Sequence, residues 1–311
     1  MLYSRDKITL ILFLLLTFSV TNKAQNRPIY SQYMFNGLAI NPAYAGSNEA
    51  FNIVALYRNS QWDNSLEKAP ITQAFSCDFP LNNPHSAIGF NMFNDNINIS
   101  KQTGAYFAYA YRINKYGGKL SIGAQVGFEL QNEEYTKIKT VQPNDFLFTY
   151  DINNFLMPNI GIGTYYYRSN IFAGISISQI LVYTSKGDDS HKVLKPSLSN
   201  TMLYFGVIVP TGLDLKLRPS TLAQFESRGV LYDLNCNFIF FRDIFELGVS
   251  WRSSNVLVGM AQIRIAPLSI GYAYDYGIER PEAINTSHEI MFRFDLIRKK
   301  VKAATPLYLI R

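Results

Sequence analysis

The chain is short of the residues on which most enzymes and stapled scaffolds depend. It has two cysteines, Cys77 and Cys236, and three histidines, His85, His191 and His288, in 311 residues. That excludes a disulfide-dense framework and a thiolate zinc centre. A single bridge is compatible with an oxidising compartment, but two isolated cysteines in strand-like runs read first as buried or lipid-facing thiols. A hydrolase needs a serine and a histidine within reach. Ser287 and His288 are adjacent, so on a strand they point to opposite faces and cannot pair directly. Asp188, Asp189 and His191 in one stretch, and Asp145 and Asp151 in another, match no calcium or zinc spacing. No glycine loop for phosphate is present. No catalytic, metal or cofactor site is expected.

Charge is scarce, at 17% of residues, with a net of +6. Part of the excess sits in Arg5, Lys7 and Lys23, and part in Arg298, Lys299, Lys300 and Lys302. No basic patch is interleaved with stacking aromatics, so nucleic acid is not an expected partner. Long apolar runs are also lacking. The one clear run, Ile8 to Val20, is too short to span a bilayer as a helix. Preceded by Arg5 and Lys7 and followed by Ala24, it reads as a secretory signal over residues 1–24. No cysteine lies nearby to suggest a lipoprotein. Nothing after Gln25 is apolar for eighteen residues, so any membrane crossing in the remainder must use strands.

What is abundant is tyrosine (21), phenylalanine (22) and alternation. Leu120, Ile122, Ala124, Val126, Phe128 and Leu130 alternate with Ser121, Gly123, Gln125, Gly127 and Glu129. Successive strand side chains point to opposite faces, giving one apolar and one polar face. The pattern recurs as Leu213, Leu215 and Leu217 against Asp214, Lys216 and Arg218, and as Phe245, Leu247, Val249 and Trp251 against Glu246, Gly248, Ser250 and Arg252. Tyr232, Leu234, Cys236, Phe238 and Phe240 oppose Asp233, Asn235 and Asn237 in the same way. A Lys or Arg facing lipid at mid-depth costs about 2–4 kcal/mol, so the charged face must meet a wet interior or lie near a rim. Arg58, Arg112, Lys216, Arg218, Glu246, Arg252, Arg293 and Asp295 are therefore assigned inward, as a salt-bridged wall or a lining selective for small solutes.

Fourteen strands are expected: 51–58, 71–79, 86–94, 102–113, 119–131, 155–167, 170–178, 200–209, 213–224, 230–240, 244–252, 255–265, 267–276 and 287–296. An even count of strands near nine to eleven residues suits an all-β transmembrane antiparallel barrel. A soluble β-sandwich competes, but connection length decides against it. Odd-numbered connections are mostly long, Ser253-Ser254 excepted, and even-numbered ones are short throughout. Outer-membrane barrels sort loops in this way, with short periplasmic turns. Tyr165, Tyr166, Tyr167, Tyr272, Tyr274, Tyr276, Trp62 and Trp251 lie near strand ends or loops and supply candidates for interfacial girdles. The expected organisation is signal (1–24), N-terminal segment near the periplasmic mouth (25–50), barrel (51–296) and basic tail (297–311). A fourteen-strand lumen lies between a filled eight-strand barrel and an open porin. Residues 25–50, which do not read as a strand, are the candidate for capping or plugging it.

That segment carries Ser31-Gln32-Tyr33-Met34-Phe35-Asn36 and Asn41-Pro42-Ala43-Tyr44-Ala45-Gly46. Later come Leu56-Tyr57-Arg58, Tyr109-Ala110-Tyr111-Arg112, Gly118 to Gly123, Gly271 to Tyr276 and Ser287 to Met291. Their order and spacing resemble the PorP/SprF family of type IX secretion system outer-membrane proteins over about residues 28–296. Gly37-Leu38 and the loops 132–154 and 179–199 depart from the pattern. The resemblance implies a barrel that binds or anchors a protein partner. That partner would be a secreted adhesin with a C-terminal sorting domain, or a periplasmic component of the secretion and gliding machine. It also makes Gln32, Tyr33, Phe35, Asn36, Asn41, Pro42 and Tyr44 the candidate partner-binding residues. The alternative function is a channel or transporter for small solutes.

Overall fold

The computed structural model describes residues 30–60, 69–137, 151–186, 189–196, 200–212, 214–226, 229–278 and 286–297. The expected signal and residues 25–29, Trp62, Asp145, Asp188, Leu213 and the basic tail from residue 298 lie outside the described residues. Fourteen strands build the wall: β1 (Ala50–Asn59), β2 (Ile71–Pro80), β3 (Ser86–Ile97), β4 (Ser100–Lys115), β5 (Gly118–Glu133), β6 (Ile152–Arg168), β7 (Ile171–Ile177), β8 (Thr201–Val207, continued by Val209–Pro210), β9 (Leu215–Glu226), β10 (Gly229–Phe240), β11 (Phe245–Arg252), β12 (Val256–Ile265), β13 (Leu268–Gly277) and β14 (Ser287–Ile297). Each pairs antiparallel with its chain neighbours. The sheet closes where β1 meets β14, from Ala50 opposite Ile297 to Asn59 opposite His288. Closure leaves the barrel wall with no edge strand, as a wall in hydrocarbon requires.

The face assignment follows the charge argument. On β5, Ile122, Val126 and Phe128 are exposed outward while Ser121, Gln125 and Glu129 are buried inward. On β11, Leu247, Val249 and Trp251 face out while Glu246 and Ser250 face in. Cys77 and Cys236 are both free, and Cys236 shares the outward face of Leu234 and Phe238. Tyr272, Tyr274, Tyr276 and Trp251 point outward as girdle residues should, but Tyr165 and Tyr167 do not: both are buried in the lumen. Asp214 takes the rim position and not the interior. It is exposed in the turn before β9, where its carbonyl accepts from Phe241 N–H at 3.0 Å.

Several strands run longer than their periodicity suggests. β4 and β5 have 16 residues each and β6 has 17. The expected loop 95–101 thereby shrinks to a turn at Asn98-Ile99, and 132–154 loses residues at both ends. The expected loop 179–199 contains a separate antiparallel hairpin, Leu181–Lys186 with Asp189–Pro196. Loop length still sorts by parity: the even connections stay short, while the long ones (60–70, 134–151, 178–200 and 278–286) share one end of the barrel.

Candidate functional site

Three short 3-10 turns, Tyr33–Phe35, Gly37–Ala39 and Pro42–Tyr44, carry the chain through the barrel interior before β1 begins. Gly37 is buried, Pro42 opens the third turn with its fixed φ, and Asn41 caps it, its Oδ1 accepting from Ala43 N–H at 2.9 Å. Nearly every residue from Tyr30 to Ala50 is buried, so the segment is a plug with a hydrogen-bonded fit to the wall. It descends from the long-loop half towards the short turns. Ser31 and Gln32 meet Glu289, which is paired with Arg58 near the far end of β1, and Gly46 meets Asp78, which pairs with Asn52 near its start.

The seven motif residues all face this wall. Gln32 N–H donates to Glu289 Oε1 at 2.8 Å, and its side chain lies over Gly271, where a Cβ would come within 2.2 Å of Gln32 Oε1. Tyr33 OH accepts from Asn235 Nδ2 at 2.6 Å. Phe35 lies under the Arg218 guanidinium, 5.2 Å from ring centre to Cζ, and its carbonyl accepts from Arg293 Nη1 at 3.2 Å. Asn36 Oδ1 accepts from Ser76 Oγ at 2.8 Å. Asn41 Nδ2 donates to the Thr164 carbonyl at 2.9 Å. Pro42 and Ala43 sit directly on Gly123, where a Cβ would lie 2.4 Å from Ala43 N. Tyr44 packs against Tyr165 in a tilted arrangement, with ring centres 5.4 Å apart. Burial pushes the Tyr33 and Tyr44 phenols up, so both stay protonated.

The inward charges are neutralised within the wall for the most part. Arg58 pairs with Asp275 at 2.7 Å, Lys216 with Asp243 at 2.6 Å, Arg252 with Asp233 at 3.0 Å and Arg293 with Asp295 at 2.9 Å. Arg218 pairs with Glu246. Arg112 instead holds the plug by donating to the Gly46 carbonyl. Glu289, Asp275 and Asp78 were missing from the sequence-derived inward set, although they anchor Gln32, Ser31 and Gly46. Their strand parity marked them as inward, but nothing local marked them as anchors. Inward glycines such as Gly123 and Gly271 were the readable signal, since a missing Cβ on a luminal position marks a close approach.

His85 holds the Arg112 carbonyl through Nδ1 at 2.8 Å, and His288 faces outward against Tyr272 OH at 2.7 Å. Ser287 faces inward and accepts from Arg58 Nε at 3.0 Å. Asp151 binds Thr136 N–H at 2.9 Å. His191 and Asp189 fall on the outer hairpin.

Residues 22–294 match the family model described as type IX secretion system membrane protein PorP/SprF. No curated protein matches the sequence. Among solved structures, the Acinetobacter baumannii outer membrane protein Omp33 is similar at 8% identity, covering 79% of this chain and 97% of its own, with a TM-score of 0.46. A TodX monoaromatic hydrocarbon channel mutant is similar at 9% identity, covering 90% and 97%, with a TM-score of 0.45. Salmonella typhi OmpF, in complex with daunomycin, shows 7% identity over 80% and 98%, with a TM-score of 0.33.

Proposed function

The chain belongs to the type IX secretion system membrane protein PorP/SprF family, and from that premise we propose that it is a plugged outer-membrane barrel that binds or anchors a protein partner. The partner is a secreted adhesin with a C-terminal sorting domain, or a periplasmic component of the secretion machine. The family is one of secretion-system membrane proteins, and a closed barrel with an apolar outer band is the form such a protein takes in the bacterial outer membrane. The observation that carries the docking role is the filled lumen. A conduit for solutes needs an open path, whereas residues 30–49 are bonded to strands on every side of this one. In this reading the seven motif residues serve partner binding by fixing the plug, and with it the shape of the mouth. No catalytic step is assigned to the chain.

One feature favours the second reading, small-solute passage. Gln224, Ser250, Gln262 and Ser269 present buried polar side-chain atoms without a protein partner among the described residues, and such a wall suits water. Deletion of the gene separates the two. Loss of one adhesin from the surface with normal solute uptake supports docking, and the reverse result overturns it. Affinity capture from solubilised membranes at native expression then identifies the bound chain.

A further inference from the structure

At the short-turn end a cleft of about 540 Å³ opens between two turns, lined by Pro84, His85, Arg112, Asn114, Lys115 and Lys119 among others. Its charge is one-sided. Lys119 is paired with Glu49 of the plug. Lys115 is exposed and lies 5.3 Å above the Tyr116 ring. Arg112 is 3% exposed, yet no carboxylate pairs with it among the described residues, and its Nε has no hydrogen-bond partner. Its other side-chain contacts are the neutral carbonyls of Gly46 and Ser86 and the buried Tyr167 phenol. A buried cation without a counter-charge is costly, and an anion entering the cleft removes that cost. His85 is held in place from both sides: its ring binds the Arg112 carbonyl at 2.8 Å and its own carbonyl accepts from Arg112 N–H at 2.6 Å. Because a carbonyl only accepts, Nδ1 carries the proton.

We propose that this cleft docks an acidic segment of the protein partner, its carboxylates meeting Lys115 and Arg112 beside the end of the plug. Position favours a peptide over an anionic lipid. Arg112 lies on the luminal face in step with Ala108 and Ala110, and Lys119 in step with Ser121, so two of the three cations face the aqueous mouth, while Lys115, in step with Tyr109 and Tyr111, reaches the cleft from the outer rim of the last turn. The inference rests on the docking function and adds the chemistry and the place of the contact. It also places the contact on the periplasmic side, the side of the short turns.

The test uses the full mature chain in phosphatidylcholine nanodiscs with fluorescein-labelled octaglutamate as probe and octalysine as control. Octaglutamate is expected to bind, and the surface variant Lys115→Glu/Asn114→Asp to weaken it by about tenfold, with Lys101→Glu at the opposite end unchanged. Lys115→Arg should retain binding. Octaglutamate that does not bind, or binds the variant equally well, overturns the proposal. So does retention of phosphatidylglycerol by the wild type, lost in the variant, without octaglutamate binding. Capture from membranes run in parallel separates this from the docking function. A partner captured equally by wild type and variant defeats the cleft alone, whereas no partner for the wild type defeats the docking function itself.

Discussion

The two sides of the lumen hold the plug by different means. Towards β3–β9 the contact is mostly apolar and aromatic: Leu38, Ile40, Ala43, Tyr44 and Ala45 cluster with Ala87, Ala108, Ala110, Tyr165, Tyr167, Phe172, Tyr204 and Leu222, with Asn41, Ile40 and Gly46 also bonded to Thr164, Ser176 and Arg112. Towards β10–β14 it is polar and charged: Ser31, Gln32, Tyr33 and Phe35 bond to Asp275, Glu289, Asn235 and Arg293. Burial in the first is non-directional and tolerates small shifts. In the second each contact depends on an alignment within hydrogen-bond range, and losing one partner strands the other in a buried place. The first wall supplies most of the apolar adhesion and the second most of the charged contacts that set register.

If that division holds, the largest loss should come from the polar side. Glu289→Ala removes the acceptor of both Ser31 N–H and Gln32 N–H, and charged acceptors are worth about 1.5–3 kcal/mol each. The expected loss is about 3–5 kcal/mol, read as a lower midpoint in denaturant unfolding from liposomes. Glu289→Gln, which keeps one acceptor oxygen, should lose about half of that. Equal effects of the two variants would show that charge and alignment are not what the polar wall contributes.

The apolar side is broken by filling it. Gly123→Val puts a branched side chain where even a Cβ would meet Ala43 N at 2.4 Å. Overpacking of this kind costs about 1–3 kcal/mol, and here the element able to yield is the plug, because β5 is pinned by β4 and β6 on both sides. The variant should stay folded by cold gel mobility but pass small ions in planar bilayers, where the wild type stays near baseline. A wild type already open to ions would refute the sealed lumen outright. A sealed variant would mean that the apolar wall does not set the depth of the plug.

The wall was more legible than its filling, for a physical reason. Lys216 and Arg218, alternating with Leu215 and Leu217, admit one orientation in a membrane, because the other puts cations in hydrocarbon. Strand faces were therefore readable one strand at a time. Strand ends were less so. Beyond the bilayer a strand has no lipid face, so β4, β5 and β6 continue upward through Lys101, Asn132 and Asn153 with no apolar alternation to announce them. The hairpin Leu181–Lys186 with Asp189–Pro196 stands apart from the barrel sheet and was missed for the same reason. The motif Ser31 to Gly46 stood out, but its seat depends on pairs such as Gln32 with Glu289, 257 residues apart. Such a pair is set by the register of the whole sheet, and no local pattern encodes it.

The smallest effect tests alignment most cleanly. Tyr33→Phe removes one hydroxyl and leaves the ring, so the apolar contacts persist while Asn235 Nδ2 loses the oxygen 2.6 Å away. A net hydrogen bond is worth about 1 kcal/mol, and an amide left unsatisfied in a buried place costs about 1–3 kcal/mol. The single variant should therefore lose about 1–2 kcal/mol. Replacing both partners, Tyr33→Phe with Asn235→Leu, removes the stranded donor as well and should recover most of that loss. Such recovery in the double-mutant cycle assigns the polar wall's contribution to matched pairs. If the two losses simply add, Asn235 bonds elsewhere and Tyr33 does not contribute to the register of the plug.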